Sequence, residues 1–166
     1  AQPLAQLPVG QGGEVEVAGL ALRPDHDVGG LVRALRHVGM HQVGHLEEQV
    51  VAALGDGGRW QMTFRYASDG PRLAGTGGAL GRALPLLGPA FFVMYGDSYL
   101  DCDYKVIEEV FRASGKRGLM TVYRNDDRWD RSNVEFTGGR IVRYDKVHRD
   151  AAMRHIDYGL CILTPE

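Results

Sequence analysis

Carboxylates, glycines and histidines stand in this chain at spacings that could do chemistry. Tyr95-Gly96-Asp97 closes the apolar run Phe91-Phe92-Val93-Met94. In α/β proteins the carboxyl end of a buried strand opens into the ligand crevice, and a carboxylate there is placed to hold a divalent cation against a phosphate. The same tripeptide also suits a plain strand-to-turn junction, because Gly and Asp favour turns. Asp101-Cys102-Asp103 adds two acids spaced by one residue, a pattern able to hold a metal–nucleotide complex. Asp103 equally suits a helix cap, and Asp97 is the preferred ligand because it closes a buried strand. Upstream, Leu73-Ala74-Gly75-Thr76-Gly77-Gly78-Ala79-Leu80 is a glycine-rich turn running into a helix. Glycines let a backbone approach a ligand, and a helix N-terminus offers free N–H groups to bases, hydroxyls or phosphates. The segment is neither a P-loop nor a dinucleotide fingerprint. His37, His41 and His45 have the spacing of one helical face, as a zinc site would need, but Gly39 and Gly44 interrupt any helix there.

Composition bounds what these groups can serve. The chain has 166 residues, 44% hydrophobic and 24% charged, enough for one domain with a core. A net charge of -2 and a pI near 6.3 give no bulk electrostatic support for a nucleic acid or a membrane surface as partner. Basic residues gather at Arg124, Arg128, Arg131, Arg140, Arg143 and Lys146, part of which an anionic small ligand could use. Cys102 and Cys161 form no C-x-x-C pair and read as free thiols in a reducing cytoplasm. The sequence shows no apolar stretch of membrane-spanning length.

The elements that must position these groups follow from periodicity. Residues 1–29 are glycine- and proline-rich and read as an irregular N-terminal segment with one short strand around Val15-Glu16-Val17. From there the pattern sharpens into a domain over residues 30–166. Leu31, Val32, Leu35 and Val38 predict a helix, and a second one starts near Leu46 and ends at Gly55. Alternation at Trp60, Met62, Phe64 and Tyr66 predicts a strand. Thr76 is placed to cap a helix burying Leu80, Ala83, Leu84 and Leu87. After the strand ending at Asp97, Asp103 caps a helix with Val106, Ile107, Val110 and Phe111 inward and Gly115 as its stop. Residues 118–123 form a strand, residues 132–144 a hairpin turning at Thr137-Gly138-Gly139, and residues 156–163 the last strand. This alternation predicts an α/β fold: a Rossmann-like, mostly parallel sheet with flanking helices and an inserted antiparallel hairpin.

The order of these motifs resembles the sugar-1-phosphate nucleotidyltransferases, or nucleotide-sugar pyrophosphorylases. His45-Leu46-Glu47-Glu48-Gln49-Val50 with Gly55-Asp56-Gly57 resembles the family's "G-Y-x-x-E-x-I … F-G-D-G" helix. Tyr66 followed by residues 73–80 resembles "Y … L-G-T-A-G-A-L", and residues 94–97 the "x-N-G-D" strand end. Gly138-Gly139-Arg140-Ile141-Val142 resembles the hairpin turn, Tyr144-Asp145-Lys146 stands where "x-E-K-P" is usual, and residues 156–163 resemble "x-x-G-I-Y-x-L". The resemblance covers residues 30–166 and implies a nucleotide-diphospho-sugar transferase type of domain that is incomplete in this chain.

What the resemblance implies is specific. A sugar-1-phosphate oxygen attacks the α-phosphorus of a nucleoside triphosphate, pyrophosphate leaves, and a nucleotide-sugar forms. Asp97 would bind Mg2+; Gly75, Thr76 and Gly78 would border the base and the sugar; Asn133, Lys146 and Gly159 would line the sugar-phosphate side. Asp97 and Lys146 would be the catalytic pair. The tract 120–144 leans the resemblance towards heptose or mannose 1-phosphate with a guanine nucleotide, or a close relative with another base. Asp145 for Glu and Tyr95 for Asn are small departures. The larger one is the family's signature loop, "G-G-x-G-T-R-L-x-P-x-T-x-x-x-P-K", of which residues 3–10 resemble only the tail, with Leu4 at the lysine. Two other readings stay open: a non-catalytic nucleotide-sugar-binding or truncated inactive relative, and a glycosyltransferase of similar architecture using Asp101 and Asp103. A homo-oligomer is compatible with all three.

Overall fold

The structure, a computed structural model, describes residues 6–9, 13–20, 38–43, 47–68, 75–95 and 100–165. Chain contacts divide it into two units, one of residues 1–27 and 91–164 with residue 166, the other of residues 28–90 with residue 165.

In the smaller unit, β3 (Val38–Val43) and β4 (Thr63–Ser68) pair in parallel, with Val38 opposite Thr63 and Val43 opposite Ser68. Helix α1 (Glu47–Leu54) joins them, the crossover that a parallel pair requires. Helix α2 (Gly75–Ala83) lies against both strands and buries Ala79 and Ala83. Gly75 and Thr76 both fall within the first turn of α2, so Thr76 does not cap it from outside. The helix expected from Leu31, Val32 and Leu35 lies outside the described residues, while Val38 begins β3.

The larger unit holds β1 (Gln6–Val9), β2 (Gly13–Leu20), β5 (Phe91–Met94), β6 (Gly118–Arg124), β7 (Val134–Thr137), β8 (Arg140–Tyr144) and β9 (His155–Leu163). Residues 1–29 therefore contribute two strands, and β2 pairs along β6 from Val15 opposite Tyr123 to Leu20 opposite Gly118. Helix α3 (Tyr104–Ser114) begins where the sequence places it. Asp103 keeps an extended backbone and accepts a hydrogen bond from Lys105 N at 2.9 Å, satisfying one of the helix's free N–H groups. The α3 face at Ile107 and Phe111 is buried. Glu108, on the same helix and also buried, is held by Arg112 Nε at 2.8 Å, one turn on.

The expectation of a Rossmann-like, mostly parallel sheet is corrected here. Every ladder of the seven-stranded sheet is antiparallel except one bridge, Gly19 opposite Arg140. The reason lies in β9. Strands β5 and β6 run in the same direction and are linked through α3, as alternation suggests. They are not neighbours, because β9 occupies the slot between them and runs antiparallel to both. Alternation reports the direction of successive strands and says nothing of a later strand that inserts between them. The bridge from β2 to β8 then closes β2, β6, β9, β7 and β8 into a ring. Met120, Val122 and Val134 form a buried cluster on these strands, with Phe136, Ile141 and Cys161 packed against them. Buried residues run unbroken from Gly118 to Val122, so β6 is covered on both faces. The β7–β8 hairpin turns through Gly138 at φ 58° and Gly139 at φ 76°, the left-handed pair that a two-residue turn matching strand twist demands.

Candidate functional site

One edge of β9 is interrupted. On that edge β7 reaches it only at His155, opposite Val134, and β5 only from Leu160 to Leu163. Residues 156–159 have no ladder partner there among the described residues, so the sheet splits and leaves a notch. The opposite edge is irregular at the same place. Met120 pairs with Cys161 and Val122 with Asp157, so β9 carries extra residues across Thr121. Such bulges turn a side chain out of the regular alternation. Gly159 sits in the bulge at φ 87°, where a side chain would be strained, and Thr121 Oγ1 pins the next residue by donating to Leu160 O at 2.9 Å.

Polar groups fill the two ends of the notch. From the β7 side, Asn133 is 7% exposed and its Oδ1 accepts from Asp157 N at 3.4 Å. Its backbone N donates to His155 O at 2.9 Å, and its carbonyl accepts from Asp145 N at 3.0 Å. With Oδ1 engaged, the amide nitrogen is the end offered as a donor. From the β5 side, Tyr95 N donates to Gly159 O at 3.4 Å. Asp157 lies between these ends. Its Oδ1 accepts from Gly159 N at 2.9 Å and its Oδ2 from Tyr144 OH at 3.3 Å. The ammonium of Lys146 stands 5.8 Å from the centre of the Tyr144 ring. Tyr158 turns away and stacks on Tyr123 at 5.3 Å.

The electrostatics of the cluster favour neutral phenols and thiol. Burial, then the Asp157 carboxylate, pushes Tyr144 up to about 12 and Cys161 up to about 12. The same two causes, in the same order, raise Tyr95, with Lys146 opposing them. Both tyrosine hydroxyls therefore remain protonated donors at neutral pH. Asp145 behaves differently. Its Oδ1 accepts from Val147 N at 2.7 Å and His148 N at 2.9 Å, and these backbone bonds hold its carboxyl below the usual range. Asp145 thus caps its own turn.

Of the expected site residues, the structure brings Asn133, Lys146 and Gly159 to this notch. Gly75, Thr76 and Gly78 belong to the first turn of α2 in the other unit. Asp97 lies outside the described residues, as do His37 and His45. Asp103 is engaged as the α3 cap, which leaves the glycosyltransferase reading with Asp101 as its one uncommitted acid. Among the described residues, no three His, Cys, Asp or Glu side chains come together to hold a metal ion. Several of the basic residues pair within the fold: Arg124 with Asp126, and Arg143 with Glu135 and Asp150. Sequence reasoning missed Asp157 and Tyr144. A carboxylate two residues before a glycine, inside the otherwise apolar run 156–163, was the available signal.

No protein-family model matches the chain. Among solved structures it is similar to a Bacillus anthracis protein assigned as a glucose-1-phosphate thymidylyltransferase and solved in complex with sucrose. Identity is 19%, the TM-score is 0.60, and the alignment covers 76% of this chain and 52% of the other. The chain thus spans about half the length of that protein, and the likeness is one of fold, of a nucleotidyltransferase-like kind.

Proposed function

We propose that the chain is a nucleotidyltransferase that joins a nucleoside triphosphate to a sugar 1-phosphate, releasing pyrophosphate and forming a nucleotide-sugar. The observation that carries this reading is the notch on β9. Asn133, Lys146 and Gly159, distant in sequence, border one gap in one sheet edge, which the chain leaving β5 meets through the Tyr95 N to Gly159 O hydrogen bond. The fold shared with a protein assigned to the same class adds weight.

The chemistry asked of these residues is mostly positioning and charge neutralisation. The sugar-phosphate oxygen attacks the α-phosphorus as the bond to pyrophosphate breaks. Lys146 is a compact cation on a flexible stem, suited to a phosphate. The Asn133 amide offers a donor, and the bulge at Gly159 lets a ligand approach the backbone. Gly75, Thr76 and Gly78 are assigned to the base and the sugar. Mg2+, with Asp97 as its expected ligand, neutralises the triphosphate when bound. A reducing cytoplasm belongs to the same reading, with Cys102 and Cys161 as free thiols.

The test is pyrophosphate release by the full-length protein from each nucleoside triphosphate, with a panel of sugar 1-phosphates and Mg2+, alongside Lys146→Gln. One matching pair should turn over, and the variant should lose at least about tenfold in kcat/KM, the cost of one charged contact. Absence of turnover with every pair refutes the catalytic reading. Calorimetric binding of a nucleotide-sugar without turnover would identify a binding module instead.

A further inference from the structure

The loop between β6 and β7, residues 125–133, is fixed by its own hydrogen bonds. Asp126 and Asp127 both adopt left-handed backbone, at φ 46° and φ 56°, a conformation that persists where the surroundings over-determine it. Buried Asn125 and Ser132 do so here. Asn125 Oδ1 accepts from Trp129 N at 3.1 Å, Asn125 Nδ2 donates to Ser132 Oγ at 3.2 Å, and Ser132 N donates to Asp127 Oδ1 at 2.6 Å. Asp126 pairs with Arg124 and with Arg154, which ties the loop to the segment 145–154 after β8. Trp129 is thereby held outward, 73% exposed, with the Arg128 guanidinium 5.2 Å from the centre of its ring. Val147, in the neighbouring segment, is 79% exposed. These are the two most exposed large apolar side chains among the described residues.

The charges of the two segments divide by sign. Each carboxylate is engaged within the fold: Asp126 by two arginines, Asp127 by Ser132 N, Asp130 by Arg131 N, Asp145 by Val147 N and His148 N, and Asp150 by Arg143 and Ala152 N. Arg128, Arg131 and Arg149 are exposed and form no ion pair among the described residues. Arg131 and Arg149 lie within electrostatic reach of Asp127 without bonding to it, so the two segments adjoin. The net charge of -2 hides this patch because it sums the whole chain, whereas attraction to a surface is set by charges within about 10 Å. Two protruding apolar side chains beside cations suit a lipid headgroup region, where an indole sits at the interface and guanidiniums meet anionic headgroups. A protein partner would need a pocket for each tip, whereas a bilayer yields to both.

We propose that segments 125–133 and 145–154 form a peripheral docking surface for an anionic lipid bilayer, with Trp129 and Val147 entering the headgroup region and Arg128, Arg131 and Arg149 meeting lipid phosphates. The fixed loop matters to this role. A flexible one would fold its indole back onto the protein, so holding Trp129 outward removes an ordering cost from binding. The inference is independent of the nucleotidyltransferase reading.

The experiment sediments the full-length protein with vesicles of phosphatidylcholine alone and of phosphatidylcholine mixed with phosphatidylglycerol. Each arginine near an anionic surface is worth about fivefold, so the mixed vesicles should bind about a hundredfold more tightly, and less so as salt rises. Replacing Arg128, Arg131 and Arg149 together by Gln should remove that preference. Trp129→Ala should weaken binding by about tenfold. Vesicles with brominated acyl chains should quench the wild-type fluorescence, and Trp129→Phe should abolish the quenching although Trp60 remains. Val147→Ser, at a side chain with little packing to lose, should also weaken binding and serves should the Trp129 variants fail to fold. Absence of any preference for the anionic vesicles overturns the inference. So does a preference that survives the triple arginine replacement, or binding that is unchanged in folded Trp129 and Val147 variants. Binding to polyglutamate without binding to anionic vesicles overturns it too, and assigns the patch to an acidic protein partner.

Discussion

Replacing Gly159 by alanine tests the bulge on which the notch depends. Gly159 has φ 87°, in a region where a Cβ crowds the neighbouring carbonyl. Holding an L-residue there costs about 1–2 kcal/mol, and relaxing the strain would move the N–H that Asp157 Oδ1 accepts at 2.9 Å. A loss of about 1–2 kcal/mol corresponds to roughly a five- to thirtyfold fall in the folded-to-unfolded ratio. Urea unfolding followed by circular dichroism measures it, with calorimetric binding of the sugar 1-phosphate run in parallel. Gly138→Ala is the control. Gly138 has φ 58°, sits at the hairpin turn, and has open space where a methyl group would project, with no atom within 4 Å. The substitution should destabilise by about 1 kcal/mol through the same backbone strain while leaving ligand affinity unchanged. Combining Gly159→Ala with Asp157→Asn should be less than additive, because both changes loosen one contact. If Gly159→Ala proves as stable as the wild type and binds equally well, the bulge does not hold the site and the reasoning fails.

Two further predictions concern groups at fixed places in the fold. The Cys161 thiol has a folded value of about 12 against an ordinary 9.0, so the fold favours its protonated form. The thiol's contribution to stability should be fully present below pH 9 and be lost as pH rises towards 12, by at most about 1.4 kcal/mol per pH unit; Tyr144, raised by the same causes, adds its own alkaline loss, so Cys161→Ala should reduce the slope without abolishing it, and an unchanged slope would remove the thiol as one of its causes. Asp103→Ala should cost about 1 kcal/mol through the lost α3 cap, read as a shift in urea midpoint, whereas Asp101→Ala should leave stability unchanged; a reversed ranking would return Asp103 to the pool of candidate metal ligands.

Local features were legible in the sequence where one short stretch contained its own cause. The cap at Asp103 and the stop at Gly115 delimit α3, and the pair Gly138-Gly139 makes the hairpin turn without help from elsewhere. Pairing was not legible, because strand periodicity describes one strand's two faces and leaves its neighbours open. Nothing in residues 91–94 or 118–124 announces that residues 155–163 will lie between them. The site divides in the same way. Asn133, Lys146 and Gly159 came from motif order. Asp157 and Tyr144 came into view only through a hydrogen bond spanning thirteen positions. Alternating runs also hide a bulge, since the extra residues of β9 show only against the register of β6.

The central place of β9 has a consequence for how the larger unit is made. It forms ladders with β5, β6 and β7, yet it follows all three in chain order. As the polypeptide is synthesised, β5 and β6 emerge with edges that nothing earlier in the chain can satisfy in the native arrangement. The β2–β6 ladder likewise joins stretches about a hundred positions apart. Such long-range closure makes folding slow and leaves apolar strand edges open to other chains in the meantime. The same segment that shapes the notch therefore acts as the keystone of assembly. Changes in residues 155–163 can lower the yield of folded protein by losing chains to aggregation before β9 docks, even where the finished fold would tolerate them.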